Sequence, residues 1–282
     1  MEITKLESVD GFTYVDVVGA PRVIGPLRCA KTVLPRTTID LSRHVTYALA
    51  VHGLDGAGAA AALNHNRSDE PDPIPAFIEE VTSWTASNNF GAHTGLGLSD
   101  DEIAGLLVRP DGETFDALVA ATAIASAGDL TDTTVVIASN RDEPDLADQL
   151  TSADVTIIED LAAALATPSD VLFVRSGTGA LHHEIVADTA SKKIVGLQAL
   201  TITARGLAVA SRAGAVVVPD FISAAGPYLA AFGIDDPATA TAETMRTLDD
   251  STPDLFVNAC IQAEAHLRTW ADTLPFGRPL AP

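Results

Sequence analysis

Few side chains in this sequence combine in a way that could support chemistry. His65, Asp69 and His93 are of the residue types that bind a divalent metal ion. The chain has seven histidines, which is no enrichment, so these residues give only a hypothesis of a metal-assisted site. Cys29 and Cys260 lie far apart in the sequence without metal-type spacing, and we expect two reduced, buried thiols.

Two loops have compositions that bear on the binding of anions. The run SGTG at 176–179 could cradle an anion with its backbone N–H groups, but a strand-to-helix turn is the better explanation. The other loop, NRDEPD at 140–145, follows a strand-like run and contains three acids and no glycine. A dinucleotide site needs glycines there, because the backbone must approach the pyrophosphate at a helix N-terminus. We therefore do not expect a conventional NAD(P) site.

The net charge of −21 comes from 38 Asp and Glu against 17 Lys and Arg, of which four are lysine. Two interpretations are open: adaptation to molar intracellular salt, or an acidic surface that docks a basic partner. The acids are spread along the chain, which favours the first. In molar salt the Debye length falls to about 3 Å, so repulsion among the acids is screened. Nucleic acid is excluded as a partner because its phosphates would be repelled.

The hydropathy of the chain indicates a folded protein outside the membrane. Apolar residues make up 47% of the sequence and the mean hydropathy is +0.22, so disorder is not expected. No apolar run approaches the roughly 20 residues of a membrane span, and the first residues lack the pattern of a secretory signal. We expect a cytoplasmic protein that has no membrane partner.

Hydrophobic periodicity divides the chain into two parts. The first part mixes a strand at 11–19 with helices at 41–53 and 74–84, and Ser99 with Glu102 forms a capping-box signature. From about residue 112, helices and apolar strands alternate, which predicts a parallel sheet covered on both faces. Strands are predicted at 133–139, 155–160, 170–176, 192–198 and 215–220, and helices at 115–128, 144–152, 160–167, 180–190, 203–213 and within 237–272.

The predicted fold class is α/β, with an N-terminal mixed α/β domain at 1–110 and a Rossmann-like, doubly wound domain with C-terminal helices at 111–282. Four segments, 25–28, 56–69, 92–102 and 192–226, match in order and spacing the segments of one family. In them the chain resembles the glutamate/leucine/phenylalanine/valine dehydrogenases. The resemblance implies that the N-terminal domain is of the dimerisation type found in that family.

The resemblance also implies an activity whose catalytic residues are missing here. The family oxidatively deaminates L-amino acids with NAD(P), using two lysines and an aspartate. At the matching positions this chain has Ala57, Asp69 and Thr94. An alanine cannot bind the substrate carboxylate, and an anionic Asp69 would repel it.

The cofactor positions implied by the resemblance are altered as well. Leu200 and Ala224 replace two asparagines, and an acid ends the second strand of the domain, at Glu159 and Asp160, where a ribose contact is expected. The remaining implied cofactor positions are Ser139, Asn140 and Ser176.

Three functional hypotheses follow. The first is a non-catalytic homologue, a regulatory subunit or ligand sensor, that forms a homo-oligomer or a hetero-oligomer with an active family member and binds a small molecule. The second is an active amino-acid oxidoreductase with relocated catalytic groups, for which Lys31 is the only nearby lysine. The third is a metal-assisted enzyme that uses His65, Asp69 and His93 in the inherited cleft. Arg28, retained at a family position, could meet an acidic ligand or hold a turn.

Overall fold

The computed structural model describes residues 1–68, 72–108, 110, 112–248 and 254–282. Asp69 and part of the predicted helical segment 237–272 lie outside the described residues. The chain forms two compact units. Unit 1 comprises Met1–Gly112, Tyr228–Ile234 and Ala263–Arg278, and unit 2 comprises Glu113–Pro227, Asp235–Gln262 and Pro279–Pro282. Two C-terminal segments of the predicted second domain thus lie in unit 1. The domains at 1–110 and 111–282 remain a prediction.

Unit 1 is built on a mixed five-stranded sheet. Its strands are β1 (Glu2–Lys5), β2 (Gly11–Val15), β3 (Val23–Ala30), β4 (Ala57–Asn64) and β5 (Phe90–Leu96), in the order β1-β2-β4-β3-β5. β2 runs antiparallel to β1 and β4, whereas β3 runs parallel to β4 and β5.

Two helices of unit 1 were predicted from the sequence and are longer than expected. Helix α1 (Pro35–Val51) begins six residues before the predicted start because Pro35 opens its first turn, and it stops before Gly53, whose φ is +73°. Helix α2 (Ile74–Asn88) ends at Asn89, which adopts the left-handed conformation. The Ser99–Glu102 capping box forms, but it opens a series of turns rather than a helix.

Strand β4 has the sequence AGAAAALN and is buried. No strand was predicted here, because alanine is a strong helix former and a weak strand former. The small side chains let α1 lie against the strand: a Cβ atom added to Gly58 would lie 1.7 Å from the Ser42 carbonyl oxygen. Packing in three dimensions therefore overrides the local preference of the alanines.

Unit 2 is built on a parallel sheet in the order β10-β9-β8-β6-β7. Its strands are β6 (Thr134–Ser139), β7 (Asp154–Ile158), β8 (Ser169–Arg175), β9 (Ser191–Gly196) and β10 (Val216–Val218). The helices from here to the C-terminus are α3 (Phe115–Ala127), α4 (Pro144–Ala147), α5 (Leu161–Ala166), α6 (His183–Val186), α7 (Ala204–Arg212), α8 (Asp220–Ser223), α9 (Gly226–Phe232), α10 (Pro237–Thr247) and α11 (Leu255–Leu267); α9 and α11 contain residues of both units.

The predicted α/β class with a parallel, Rossmann-like sheet is confirmed. Strands β6, β8 and β9 are apolar and buried at their centres, as strands covered on both faces must be. Helices α4 and α6 are shorter than the predicted 144–152 and 180–190, because the chain continues past each with i→i+3 hydrogen bonds, such as Leu150 N to Ala147 O and Thr189 N to Val186 O.

No helix among the described residues is long and apolar enough to span a membrane.

Candidate functional site

The carboxyl ends of β6 and β8 are the topological switch point of the parallel sheet. From β6 the chain crosses to β7 on one side and then returns to β8 on the other, and Ser139 at the end of β6 pairs with Arg175 at the end of β8. In open α/β sheets, ligands bind outside the carboxyl edge at such a point. The side chains at this edge therefore define the candidate site.

A buried carboxylate forms the inner part of the site. Glu143 Oε1 lies 3.1 Å from Arg141 Nε and 2.7 Å from Arg175 Nε, and it accepts a 2.9 Å hydrogen bond from Ser139 Oγ. The side chain of Glu143 is only 6% exposed and that of Arg175 only 11%. The two guanidinium groups thus share one buried anion.

A second carboxylate closes the outer part of the site. Asp116 Oδ1 lies 2.6 Å from Arg141 Nη2 and 3.4 Å from Arg175 Nη1. Asp116 belongs to the first turn of α3, whose N-cap Thr114 accepts a hydrogen bond from Ala117 N. The side chains of Asp116 and Arg141 are 41% and 45% exposed, so this half of the cluster faces solvent.

We call Asp116, Arg141, Glu143 and Arg175 the switch-point cluster. Burial is the largest effect on both guanidinium groups, and it lowers the pKa of Arg175. For Arg141, hydrogen bonds to Asp116 and Glu143 outweigh burial, and its pKa is raised. Two cations face two carboxylates, so the formal charges of the cluster balance.

The cluster includes residues of the loop at 140–145, where a dinucleotide site would need a glycine-rich turn. Ser139 is buried within it, whereas Asn140 is exposed. Glu143 was counted among three unfavourable acids, but the fold pairs it with two arginines. The arginines were missed because Arg141 and Arg175 come together only when β6 and β8 pair, and no spacing in the sequence signals that.

The other implied cofactor positions of unit 2 have local structural roles or lie in solvent. Asp160 caps α5 by accepting a hydrogen bond from Ala163 N, and Glu159 is exposed. Ser176 is exposed at the start of the SGTG turn, in which both glycines have positive φ. These left-handed glycines agree with the interpretation as a strand-to-helix turn.

The two positions where asparagines were expected are both buried. Leu200 has a φ of +59°, a left-handed conformation that asparagine tolerates better than leucine. The next residue, Thr201, donates its backbone N–H to Asp220 Oδ2 at 2.7 Å, which holds the turn. Ala224 is 1% exposed and follows helix α8.

In unit 1, the sheet register places the implied catalytic positions at different levels along the strands. Ala57, fully buried, pairs with Val23 at the start of β4, whereas Thr94 on β5 pairs with Pro26. Arg28 of β3 is half-buried; it donates a 3.3 Å hydrogen bond to a side-chain oxygen of α1, and burial lowers its pKa.

The register also separates the two histidines of the metal hypothesis. His65 follows β4 next to the end of β3 and bonds through its backbone N–H to Ala30 O. His93 lies on β5 beside Gly25 and Pro26 of β3. About five residues of strand, roughly 16 Å, separate the two positions along the sheet. Among the described residues, no group of three metal-ligating side chains occurs, and Asp69 lies outside them.

A cluster of rings in unit 1 was not anticipated from the sequence. The rings of His93 and His44 both stand edge-on to Tyr228, with centroids 4.7 and 5.6 Å from its own. All three side chains are buried. They come from β5, α1 and α9, and no pattern along the chain links them. His93 thus packs in the core of its unit.

The fold is similar to that of solved amino-acid dehydrogenases. Hetero-hexameric glutamate dehydrogenase from Thermus thermophilus, in a Leu-bound form, matches with a TM-score of 0.71 and 15% identity over 94% of this chain and 86% of that chain. L-tryptophan dehydrogenase from Nostoc punctiforme matches with a TM-score of 0.71 and 14% identity over 95% and 96%. Plasmodium falciparum glutamate dehydrogenase matches with a TM-score of 0.69 and 10% identity over 92% of this chain and 78% of that chain.

No protein-family model and no curated protein sequence matches this chain. At identities of 10 to 15%, the structural likeness shows the fold and not the activity. The chain thus has the fold of the amino-acid dehydrogenases, which confirms the sequence resemblance at that level.

Proposed function

We propose that this chain is a non-catalytic protein with the amino-acid dehydrogenase fold that acts as a regulatory subunit or ligand sensor. The observation that carries the proposal is the switch-point cluster. Two arginines and two carboxylates fill the edge where a dinucleotide pyrophosphate would have to lie, and their charges balance. The arginines are therefore already engaged by carboxylates of the chain.

The backbone at this edge supports the same proposal. A pyrophosphate is held by the N–H groups of a glycine-rich turn and by the positive end of the following helix. Here the turn has no glycine, and α4 is a single turn of four residues that begins with Pro144, which has no N–H. A helix of one turn contributes little dipole, and Pro144 removes one N–H donor from its start.

Among the described residues of unit 1, the position implied for the first catalytic lysine carries no charge. Ala57 and the other alanines of β4 are buried and carry no polar group. Lys31, the lysine considered for a relocated site, is exposed just past the end of β3. No observation on the described residues favours the relocated or the metal-assisted enzyme over the non-catalytic protein.

Association with an active dehydrogenase is the form of regulation that we propose. The glutamate dehydrogenase of Thermus thermophilus, similar in fold, is hetero-hexameric and was solved in a Leu-bound form. By analogy, this chain would form oligomers with itself or with a catalytic subunit and would respond to a small molecule. Mixing it with an amino-acid dehydrogenase of its own cell should increase the mass measured by light scattering and change the dehydrogenase rate.

The first test is calorimetric titration of NAD, NADP and their reduced forms in molar KCl, with an active halophilic dehydrogenase as control. We expect no binding at millimolar cofactor, together with no turnover of any proteinogenic amino acid. Micromolar binding, or turnover with either cofactor, would show that the protein is an oxidoreductase and would overturn the proposal.

A further inference from the structure

We propose that the switch-point cluster is a binding site for a small carboxylate, which Asp116 occupies in the ligand-free chain. This inference rests on the proposed function, because a bound dinucleotide would need the same edge of the sheet. The inference adds two points to that function: the ligand is a small carboxylate, and Asp116 competes with it for the site.

Both arginines converge on the same two oxygen atoms. Their Nε atoms lie against Glu143 Oε1, and one terminal nitrogen of each lies against Asp116 Oδ1. Two guanidinium groups held together by the buried Glu143, with Asp116 on the exposed side, form an anion receptor. The anion on the exposed side is the one that a ligand can replace.

The two carboxylates differ in how easily they can leave. Glu143 is buried and also accepts a hydrogen bond from Ser139, so its departure would leave the buried cation of Arg175 with only the longer, 3.4 Å contact to Asp116. Asp116 is partly exposed, and a rotation of its side chain opens its contacts to the arginines without unfolding α3. Glu143 is therefore the permanent anion and Asp116 the exchangeable one.

The position of Asp116 adds a second attraction for an anion. Helix α3 has 13 residues, and its N-terminal turn carries Asp116 to the carboxyl edge of β6 and β8. The positive end of the helix dipole acts together with the two guanidinium groups. Once Asp116 is displaced, the remaining charges of the cluster sum to +1, which one carboxylate neutralises.

Carboxylate is the ligand chemistry that fits. Asp116 is itself a carboxylate, and its planar group suits the guanidinium fork. A phosphate would bring a second negative charge toward Glu143 in a chain whose net charge is already −21. We therefore expect a singly charged carboxylate to bind in preference to phosphate.

Tethering makes Asp116 a strong competitor, because a group attached nearby acts at an effective concentration of millimolar or higher. Removing its charge should therefore raise the affinity for an external carboxylate by about tenfold or more. The test is a titration of acetate, and separately of inorganic phosphate, into Asp116→Asn, followed through the arginine Nε–H resonances by NMR.

Asp142→Asn is the matched control, because it removes one charge from an exposed residue of the same loop. The double variant Asp116→Asn/Arg141→Gln should lose the increase in acetate affinity. Asp116→Ala should show the same increase if Asp116→Asn does not fold. Equal acetate affinity in Asp116→Asn and Asp142→Asn, or tighter binding of phosphate than of acetate, would overturn the inference. Micromolar binding of NAD to the unmodified chain would refute the proposed function instead, so the two failures are distinguishable.

Discussion

Glu143 is the side chain on which the candidate site depends. It is buried, and both guanidinium groups of the switch-point cluster lie against one of its oxygens. Replacing it with glutamine keeps the shape but removes the anion, so Arg175 would remain as a buried cation with too little compensation. The stability of unit 2 should therefore depend on this single side chain.

We therefore predict that Glu143→Gln lowers the free energy of unfolding by about 3 kcal/mol, the scale for breaking a buried ion pair. Urea unfolding in molar KCl, followed by circular dichroism, measures it. Asp142→Asn, an exposed change in the same loop, should leave the midpoint almost unchanged. Equal midpoints for the two variants would mean that the cluster contributes no stability.

A second prediction concerns His52, the residue after helix α1. Burial lowers its pKa from 6.5 to about 4, while the Nδ1–H bond to Ala48 O acts in the opposite direction. The unfolded chain thus takes up a proton at a higher pH than the folded chain, so stability falls as the pH falls from about 6.5 to about 4. The loss from this residue should reach about 3 kcal/mol.

His52→Gln should reduce the loss of stability between pH about 6.5 and about 4, because it removes the titrating group. The measurement is the urea midpoint as a function of pH for both proteins, with His183→Gln, an exposed histidine, as the control. A profile identical to that of the unmodified chain would show that His52 titrates normally in the folded protein.

Among the secondary structure elements, the contact between α1 and β4 is the most restrictive. Gly58 faces the backbone of the helix, and an added Cβ would lie 1.7 Å from the Ser42 carbonyl oxygen. The backbone of β4 cannot move without disturbing the sheet, because β4 pairs with strands on both sides, and α1 is held by its own buried face. The spacing of the two elements therefore depends on the missing side chain.

Gly58→Ala should destabilise the protein by about 3 kcal/mol or more, at the upper end of the cost of overpacking. Gly105→Ala is the control, since an added Cβ there meets no atom within 4 Å. Thermal unfolding and the soluble yield measure the difference. If both variants melted together, α1 would have to be free to shift away from β4.

For the molecule as a whole, the net charge of −21 sets the conditions of stability. Repulsion among exposed acids is screened as the Debye length shrinks in concentrated salt. We predict that the melting temperature rises steeply between dilute buffer and molar KCl. The triple variant Asp142→Asn/Glu159→Gln/Asp235→Asn changes three exposed residues. Its melting temperature should depend less on salt. A melting temperature independent of salt in both proteins would contradict the halophilic interpretation.

The sequence by itself determined the parallel sheet of unit 2. Runs such as TVVIAS and DVLFVRS are apolar over the length of a strand, and helical segments separate them, so local preference and burial agree there. Helix α3 was placed within one residue for the same reason. The family resemblance added the fold of the whole chain, which solved structures of amino-acid dehydrogenases share.

Only the tertiary structure decided the candidate site. Asp116, Arg141 and Arg175 lie on three separate segments, and they meet because β8 pairs with β6 and α3 begins at the same edge. Likewise, the alanines of β4 form a strand because α1 and the neighbouring strands bury them, against their own preference. Charges counted along the chain do not say which of them are paired, because pairing depends on which strands become neighbours.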